Sequence, residues 1–286
     1  MSSPAELVLT ANCGAVRVLT FNRPARLNAW TEELEDQYFD RLEAAADDRA
    51  VRAIVVTGAG RGFCSGADLG NLAGVGGVSR TEQVRLRRPR DLPLTIRKPI
   101  IGAINGVAAG LGFVEALYCD VRFGGPATRF TTAFARRGLI AEYGIAWLLP
   151  RVVGHSRAAD LLLSSRMVDA AEAHRIGLID HFVDGDVLGA AIGYANDLAA
   201  QCSPQSMATI KAQLSRHVDQ VYRDAVAESE TLMHASFQGP DLGEGIASHL
   251  EHRAPNFPSL PARSARCPVE ISDSGFSPTR LRHQSN

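Results

Sequence analysis

Residues 53–68 read Ala53-Ile-Val-Val-Thr-Gly-Ala-Gly-Arg-Gly-Phe-Cys-Ser-Gly-Ala-Asp68, a short apolar run that passes directly into a glycine-rich loop. The pattern returns at Ile100-Ile-Gly-Ala-Ile-Asn-Gly-Val-Ala-Ala-Gly-Leu-Gly112, where a second apolar run meets a second glycine loop and the start of a helix. A third apolar run occupies residues 121–123. Strands, loops and helices in this order are typical of a right-handed β-α-β array, so we predict an α/β fold.

Both glycine loops leave a buried strand and lead into a helix. Glycine permits backbone conformations that are closed to other residues, and N–H groups at a helix start can point together at one anionic atom. Two such loops that converge can form an oxyanion hole, in which paired N–H groups stabilise negative charge developing on an oxygen. Glycine loops after strands also bind phosphate or serve only as turns, and their spacing alone leaves these interpretations open.

The N-terminal segments predict a hairpin followed by a helix. Two short apolar runs, residues 7–9 and 16–21, flank an Asn12-Cys13-Gly14 turn, which is typical of a β-hairpin. Thr31 then stands where a helix needs a capping side chain, and three acidic residues follow it in the first turn.

Helices are also predicted in two later parts of the chain. Residues 81–97 form a basic stretch that we expect to be helical until Lys98-Pro99 ends it. From His155 onward the pattern is mostly helical, and Asp169 with Glu172 resembles a capping box. Residues 178–183 predict a short strand.

Composition argues against several classes of function. The chain has 286 residues, of which 21% are charged, and its formal net charge is -1. Nothing in this balance attracts nucleic acid or an anionic membrane surface. No apolar run approaches the roughly 20 residues of a membrane span, and the N-terminus has neither a basic start nor an apolar signal core, so we expect a cytoplasmic protein.

The side chains that bind metals or form disulfides are scattered. The five cysteines are odd in number and never form a C-x-x-C pair, which argues against a disulfide framework and a zinc site. The histidines at 174, 181 and 217 have no metal-ligand spacing. We therefore expect no metal and no redox cofactor.

Around the glycine loops, the chain resembles the enoyl-CoA hydratase/isomerase (crotonase) family from about residue 7 to about residue 257. The matching segments, in chain order, are Phe21-Asn-Arg-Pro24, Leu27-Asn-Ala29, Gly62-Phe-Cys-Ser-Gly-Ala-Asp-Leu69, Lys98-Pro99, Asn105-Gly106, Ala109-Gly110, Cys119-Asp120, Phe134-Ala-Arg-Arg-Gly-Leu139, Trp147-Leu-Leu-Pro-Arg-Val-Val-Gly154, Gly177-Leu178 and Glu251-His-Arg-Ala-Pro255. A match of this length and order predicts membership of the family.

The resemblance implies a crotonase-like spiral of β-β-α turns, which we assign to residues 1–200. A C-terminal helical region that forms trimers follows at 201–257, and the Pro/Ser/Arg-rich residues 258–286 are expected to form a poorly ordered tail. The resemblance also implies an acyl-CoA thioester substrate and a homotrimer or dimer of trimers. Coenzyme A is then part of the substrate, and no separate cofactor is expected.

The family places the thioester carbonyl between two backbone N–H groups, and by resemblance these belong to Ala67 and Leu111 here. Its coenzyme A contacts map to two short segments of this chain. The residues at those contacts are Arg26, Leu27 and Ala29 on one wall, and Ala67, Asp68 and Leu69 on the other.

Two positions depart from the family pattern. Typical hydratases use two glutamates, but the matching residues here are Val114 and Phe134, neither of which can transfer a proton. Glu115 lies one residue along, and a helix turns it about 100° away from the required face. The position at which enoyl-CoA isomerases carry a single acid is Glu142. We expect Val114, Phe134 and the neighbouring Tyr143 to line the substrate pocket.

Three functions follow from this pattern. In the leading one, an enoyl-CoA isomerase, Glu142 moves a proton between two carbons, and burial would raise its pKa toward the neutrality that such a base needs. In the second, an enoyl-CoA hydratase of fatty-acid-type degradation, Glu142 works alone or with water and Tyr143. The third is a non-catalytic acyl-CoA-binding protein.

Overall fold

A computed structural model describes residues 5–68 and 87–261 of the chain. Its core contains two β-sheets, and from β3 to β8 their strands alternate along the sequence. The larger sheet has the order β1-β2-β3-β5-β7-β10, and the smaller has the order β4-β6-β8-β9. The strands are β1 (Val8–Cys13), β2 (Val16–Phe21), β3 (Ala53–Gly58), β4 (Gly62–Cys64), β5 (Ile100–Ile104), β6 (Val107–Ala109), β7 (Val121–Gly124), β8 (Arg129–Thr131), β9 (Val168–Asp169) and β10 (His181–Phe182). The predicted α/β class is confirmed.

The strand pairing follows a simple rule. The hairpin predicted at the start of the chain is present, since β1 and β2 pair antiparallel with Val8 opposite Phe21. From β2 onward the neighbours in the larger sheet run parallel. Each of β3, β5 and β7 is followed at once by a short strand of the smaller sheet, so the chain winds as a spiral of β-β-α turns. Of the strand predicted over residues 178–183, only His181–Phe182 forms.

The helices begin and end where local chemistry favours it. They are α1 (Glu32–Asp47), α2 (Leu92–Thr95), α3 (Leu111–Leu117), α4 (Ile145–Val153), α5 (His155–Ser164), α6 (Ala170–Arg175), α7 (Val187–Gln201), α8 (Pro204–His217), α9 (Tyr222–Phe237) and α10 (Pro240–Leu250). Thr31 caps α1 as predicted, because its hydroxyl accepts a hydrogen bond from the Leu34 N–H at 3.2 Å. Asp169 likewise caps α6, but the Glu172 carboxylate binds Arg166 at 2.7 Å instead of completing a capping box.

The helix predicted over residues 81–97 is wrong where the structure describes it. Its first six residues lie outside the described residues, and in the remainder only Leu92–Thr95 is helical. Pro89 and Pro93 explain the difference. A proline lacks the N–H that a helix interior needs and pushes the preceding residue toward extended backbone.

Two asparagine side chains hold the loop between β3 and β4. The fully buried Asn28 donates its amide hydrogens to the carbonyl oxygens of Ala59 and Gly62, at 3.0 and 2.8 Å. Asn105 binds the same loop from the other side, since it donates to the Gly58 carbonyl at 2.8 Å and accepts from the Gly58 N–H at 3.3 Å. The first glycine loop therefore has a defined shape before any ligand arrives.

The C-terminal helices are packed unequally. Helix α7 covers the larger sheet and buries Ala191 and Ala195 against it. Helix α9 has no buried residue. Helices α8 to α10 and the segment that joins α8 to α9 expose large apolar side chains, namely Ile210, Leu214, Val218, Val221, Tyr222, Val226, Met233, Phe237, Leu242, Ile246 and Leu250.

After α10 the chain stays packed for several residues. Phe257 and Leu260 are buried, and residues 262–286 of the predicted tail lie outside the described residues. The assigned domain boundaries stay predictions. Within the described ranges, no helix combines the length and the apolar character needed to cross a membrane.

Candidate active site

The two glycine loops are in direct contact. Gly66 of the first loop has φ 87°, and a Cβ atom at this position would lie 2.6 Å from the Ala109 carbonyl oxygen and 3.5 Å from the Leu111 nitrogen. Only glycine allows this approach without displacing backbone. The contact brings the backbone of Ala67 next to the start of α3, as an oxyanion hole built from these two loops requires.

The N–H groups of Ala67 and Leu111 are available to a ligand. Ala67 pairs with Trp30, whose N–H donates to the Gly66 carbonyl at 2.8 Å and whose carbonyl accepts from the Asp68 N–H at 3.0 Å. Since N–H groups alternate in direction along extended backbone, the Ala67 N–H points to the opposite side. Leu111 begins α3, so its N–H has no intrahelical acceptor. Neither N–H donates to another residue within 5–68 and 87–261.

The positions that carry glutamates in typical hydratases are apolar and buried. Val114 is 0% exposed and Phe134 is 5% exposed, and both pack in the same cluster as Leu111. The Phe134 ring would come within 3.9 Å of a Cβ on Gly110, which places it beside the second loop. Neither of these two hydrocarbon side chains can transfer a proton.

Glu142 lies in the turn before α4 and is partly buried. Burial raises the pKa of its carboxyl, while the nearby positive charge of Arg90 and a hydrogen bond with the Tyr143 side chain oppose the rise. The turn is anchored to α3, because the Tyr118 hydroxyl donates to the Tyr143 carbonyl at 3.0 Å. Helix α3 therefore carries Leu111 at its start and supports the acid-bearing turn at its end.

The residues expected on one wall of the coenzyme A site lie beside the first loop. Arg26 ends a 3-10 helix, Pro24–Arg26, and its side chain is exposed. The Ser65 N–H donates to the Leu27 carbonyl at 3.0 Å, and Ala29 is buried nearby. This segment is therefore held along the first loop with a guanidinium free to meet phosphate.

The opposite wall is described only in part. Asp68 is held by Arg23 at 3.0 Å, and the same guanidinium donates to the Ala29 carbonyl. Leu69 lies outside the described residues. Arg23 connects the two walls, and sequence reasoning missed this role because its partners are known only once the chain is folded.

Glu115, on α3, is buried in the packed interior. It is 2% exposed, and neither carboxyl oxygen has a hydrogen-bond partner among the described residues. Burial raises its pKa well above the ordinary value, the nearby Glu35 raises it further, and Arg90 acts in the opposite direction. Burial therefore favours the protonated form of the Glu115 carboxyl.

Within the described ranges, no group of three or more His, Cys, Asp or Glu side chains comes together in a way that could hold a metal ion. The four described cysteines, at 13, 64, 119 and 202, are free thiols.

The family is shown by comparison with known proteins. A family model described as enoyl-CoA hydratase/isomerase matches residues 12–260. The chain therefore belongs to the enoyl-CoA hydratase/isomerase family, whose members act on acyl-CoA substrates, and it is an enzyme of that family. The membership predicted from the motifs and the crotonase-like fold are both confirmed.

Two relatives are similar to the chain over different lengths. The chain is 33% identical over 264 residues to the 1,2-epoxyphenylacetyl-CoA isomerase of Escherichia coli (strain K12), covering 88% of this chain and 98% of the relative. It is 43% identical over 182 residues to the probable enoyl-CoA hydratase echA12 of Mycobacterium leprae (strain TN), covering 60% of this chain and 62% of the relative.

Two solved structures share the fold of this chain. A probable enoyl-CoA hydratase/isomerase from Mycobacterium abscessus superposes with a TM-score of 0.82 at 30% identity, covering 88% of this chain and 99% of the other. An enoyl-CoA hydratase from Polaromonas sp. JS666 gives 0.80 at 28% identity, covering 87% and 99%.

The buried Glu115 predicts a pH-dependent stability. The unfolded carboxyl loses its proton above about pH 4.3, whereas the folded one keeps it because its pKa is raised. Stability therefore falls as pH rises above the unfolded pKa. Glu115→Gln has no such titration, so its free energy of unfolding should rise relative to that of wild type as pH increases above the unfolded pKa, by at most about 1.4 kcal/mol per pH unit.

Urea unfolding at several pH values measures this difference. Glu33→Gln is the control, because the pKa of the Glu33 carboxyl is lowered by backbone and Thr31 hydrogen bonds. Its stabilising effect is present above the unfolded pKa and is lost only as pH falls, so this variant should run parallel to wild type over the same range. If the stability of Glu115→Gln also runs parallel to that of wild type over this pH range, the raised pKa of Glu115 is contradicted.

Proposed function

We propose that this enzyme is an enoyl-CoA isomerase that uses Glu142 as its single acid and base. The observation that carries the proposal is the contrast between three positions. Glu142 is a partly buried carboxyl whose pKa is raised by burial, whereas Val114 and Phe134 provide only hydrocarbon. One proton-transferring group is enough to move a double bond, and it leaves an attacking water without a second partner.

The proposed reaction needs only groups of this chain. The thioester oxygen accepts from the N–H groups of Ala67 and Leu111, while the Glu142 carboxylate removes a proton from the acyl chain. The electron pair left on carbon moves toward the thioester oxygen, where the two donors stabilise the enolate. Glu142, now protonated, returns the proton to a different carbon, so that the double bond has moved and no atom is gained or lost.

We assign coenzyme A to the walls described above. Arg26 is placed to bind a phosphate of the nucleotide end, and Leu27 and Ala29 lie along the path toward the loops. Asp68 and Leu69 complete the predicted opposite wall. Tyr143, with Val114 and Phe134, is proposed to border the acyl group. Coenzyme A enters as part of the substrate, and the proposed reaction uses no separate cofactor.

The comparisons give each reaction some support. The Escherichia coli relative, which is matched over almost its full length, is named an isomerase. Several others, such as echA8 of Mycobacterium bovis at 29% identity, are named probable enoyl-CoA hydratases. Hydration, as in fatty-acid-type degradation, is the second candidate. The hydrogen bond between Glu142 and Tyr143 favours it, since such a pair can hold a water. Binding without turnover is the third.

Glu142→Gln should lower isomerisation of a 3-enoyl-CoA by about 10²-fold or more, the usual scale of general acid–base catalysis. Glutamine keeps the volume and hydrogen bonding of the side chain but cannot transfer a proton. Spectrophotometric assays with 3-enoyl-CoA and 2-enoyl-CoA separate bond migration from hydration. Glu115→Gln is the matched control and should keep its turnover, because the buried Glu115 side chain has no part in the proposed proton transfer. Near wild-type isomerisation by Glu142→Gln would refute the assignment.

Leu111→Pro should cost far more activity than Leu111→Ala. Both changes shorten a buried side chain, but only proline deletes the N–H, and the first position of a helix tolerates proline. Loss of one oxyanion donor costs on the order of 3 kcal/mol in the barrier. Steady-state kinetics on the two folded variants tests the donor role. Equal losses would show that the leucine side chain matters and the N–H does not.

We further propose a homotrimer or a dimer of trimers, assembled through α8 to α10. The apolar side chains exposed on these helices support it, because a monomer rarely leaves so large an apolar surface in water. Ile210, Leu214 and Val218 recur at helical spacing and form a continuous stripe.

Light scattering tests the assembly. Wild type should have three or six times the mass of one chain, and the double variant Ile210→Asp, Leu214→Asp should dissociate because it places charge in the stripe. Truncation after Pro261 keeps the buried Leu260. It should preserve both the number of chains in the assembly and the turnover. A monomeric wild type rejects the proposal, and dissociation of the truncated chain would show that residues 262–286 take part in assembly.

A further inference from the structure

One buried carboxylate contacts groups that lead to both sides of the candidate active site. The Glu35 side chain on α1 is 2% exposed. One of its oxygens accepts from the Trp30 indole N–H at 2.9 Å and lies 3.2 Å from Nε of Arg90. Trp30 is the residue whose backbone pairs with Ala67. Glu35 therefore binds the side chain of Trp30, whose backbone pairs with the first glycine loop, and it also contacts the Arg90 guanidinium.

Arg90 continues this connection to the turn that carries Glu142. Its guanidinium carbon lies 4.7 Å from the centre of the Tyr143 ring, within the range of an attractive cation–π contact. Tyr143 has φ 53°, a backbone conformation that a tyrosine rarely adopts without support. Two contacts supply that support, the Arg90 guanidinium on the ring and the Tyr118 hydroxyl on the carbonyl.

The charge of Arg90 also acts on Glu142 itself. It lowers the pKa of that carboxyl against the rise caused by burial, and the Tyr143 hydrogen bond acts in the same direction. The titratable and charged groups around this region come from four segments. They are Glu35 and Tyr38 on α1, Arg87, Arg90 and Asp91 before α2, Glu115 and Tyr118 on α3, and Glu142 and Tyr143 in the turn.

We propose that Arg90 is a positioning residue: anchored by Glu35, it holds the Tyr143 ring and thereby fixes Glu142 relative to the oxyanion loops. This inference rests on the proposed role of Glu142 as the acid and base. Arg90 itself has no part in proton transfer. It acts through the Tyr143 ring and through its charge. Because Glu35 contacts both Arg90 and Trp30, the same carboxyl group supports the turn of Glu142 and the first glycine loop.

The consequence is a specific change in the pH profile. Glu142 must be deprotonated to accept a proton, so activity is lost as pH falls through its pKa in the free enzyme. Arg90→Gln removes the charge that lowers this pKa, and the acidic limb of kcat/KM should move to higher pH. The kcat at the optimum should fall about tenfold, since misplacing a catalytic group by 1 Å can cost up to about 10²-fold. KM should change little.

Two further variants separate charge from stacking. Arg90→Lys keeps the charge and should restore the acidic limb, but only part of kcat, because one ammonium cannot both bind Glu35 and lie flat on a ring. Tyr143→Leu removes the ring. If Arg90 acts through that ring, Arg90→Gln should lower kcat much less in the Tyr143→Leu background than in wild type.

Arg88→Gln is the matched control. Arg88 also contacts α1, with Asp40 at 2.7 Å, Glu43 at 3.0 Å and the Phe39 ring centre at 5.5 Å. It does not contact the turn of Glu142. This variant should keep the wild-type pH profile and kcat, so an equal effect of Arg88→Gln and Arg90→Gln would mean a general loss of packing and would overturn the inference.

A measurement without turnover separates this inference from the proposed function. Carbon-13 NMR of labelled glutamate carboxyls, with the Glu142 signal assigned by its loss in Glu142→Gln, gives the pKa directly. An upward shift in Arg90→Gln, absent in Arg88→Gln, supports the placement of Arg90 even if the wild type fails to isomerise any 3-enoyl-CoA. An unchanged Glu142 pKa together with an unchanged acidic limb would overturn it.

Discussion

The architecture of the site depends on one close backbone contact, that of Gly66 with the carbonyl of Ala109. A Cβ atom would push the two loops apart, and with them the N–H groups of Ala67 and Leu111 that we propose to bind one oxygen. The contact survives because both loops are held from outside: the Trp30 backbone pairs with the segment around Ala67, and strand pairing of β6 with β8 fixes the second loop. A rigid pair of donors of this kind needs no reorganisation when charge develops.

Around this rigid pair, carboxyl groups are arranged by environment. Glu115 is buried with no hydrogen-bond partner among the described residues, and its pKa is raised well above the ordinary value. Glu142 is only partly buried and lies near the Arg90 guanidinium, so its pKa is raised less strongly. Glu35 is as buried as Glu115, but it binds the Trp30 indole and Arg90. Three glutamates close in space therefore have three different chemical characters. Burial and the contacts of each carboxyl determine these differences, whereas separation along the sequence does not.

Much of the fold could be predicted from local patterns. The hairpin, the Thr31 cap and the strand that leads to the first loop all depend on neighbouring residues, and all three were predicted correctly. Over residues 87–97 the predicted helix is wrong, because Pro89 and Pro93 interrupt it and only Leu92–Thr95 is helical. The motifs identified the candidate donors and Glu142. The roles of Arg23 and Arg90 could not be predicted, since ion pairs and ring contacts between distant segments leave no local pattern.

Helix α3 acts as a spacer between Leu111, the proposed oxyanion donor, and the turn that carries Glu142, the proposed acid and base. Seven residue steps separate Leu111 from Tyr118, which correspond to about 10 Å of rise and about 700° of rotation, nearly two full turns. Both residues therefore lie on almost the same side of the helix, one at the oxyanion loop and the other under the turn of Glu142. One inserted residue would add about 100° and rotate one contact away from the other. Evolution can thus change the acids on this scaffold one side chain at a time, but the length of the helix is constrained.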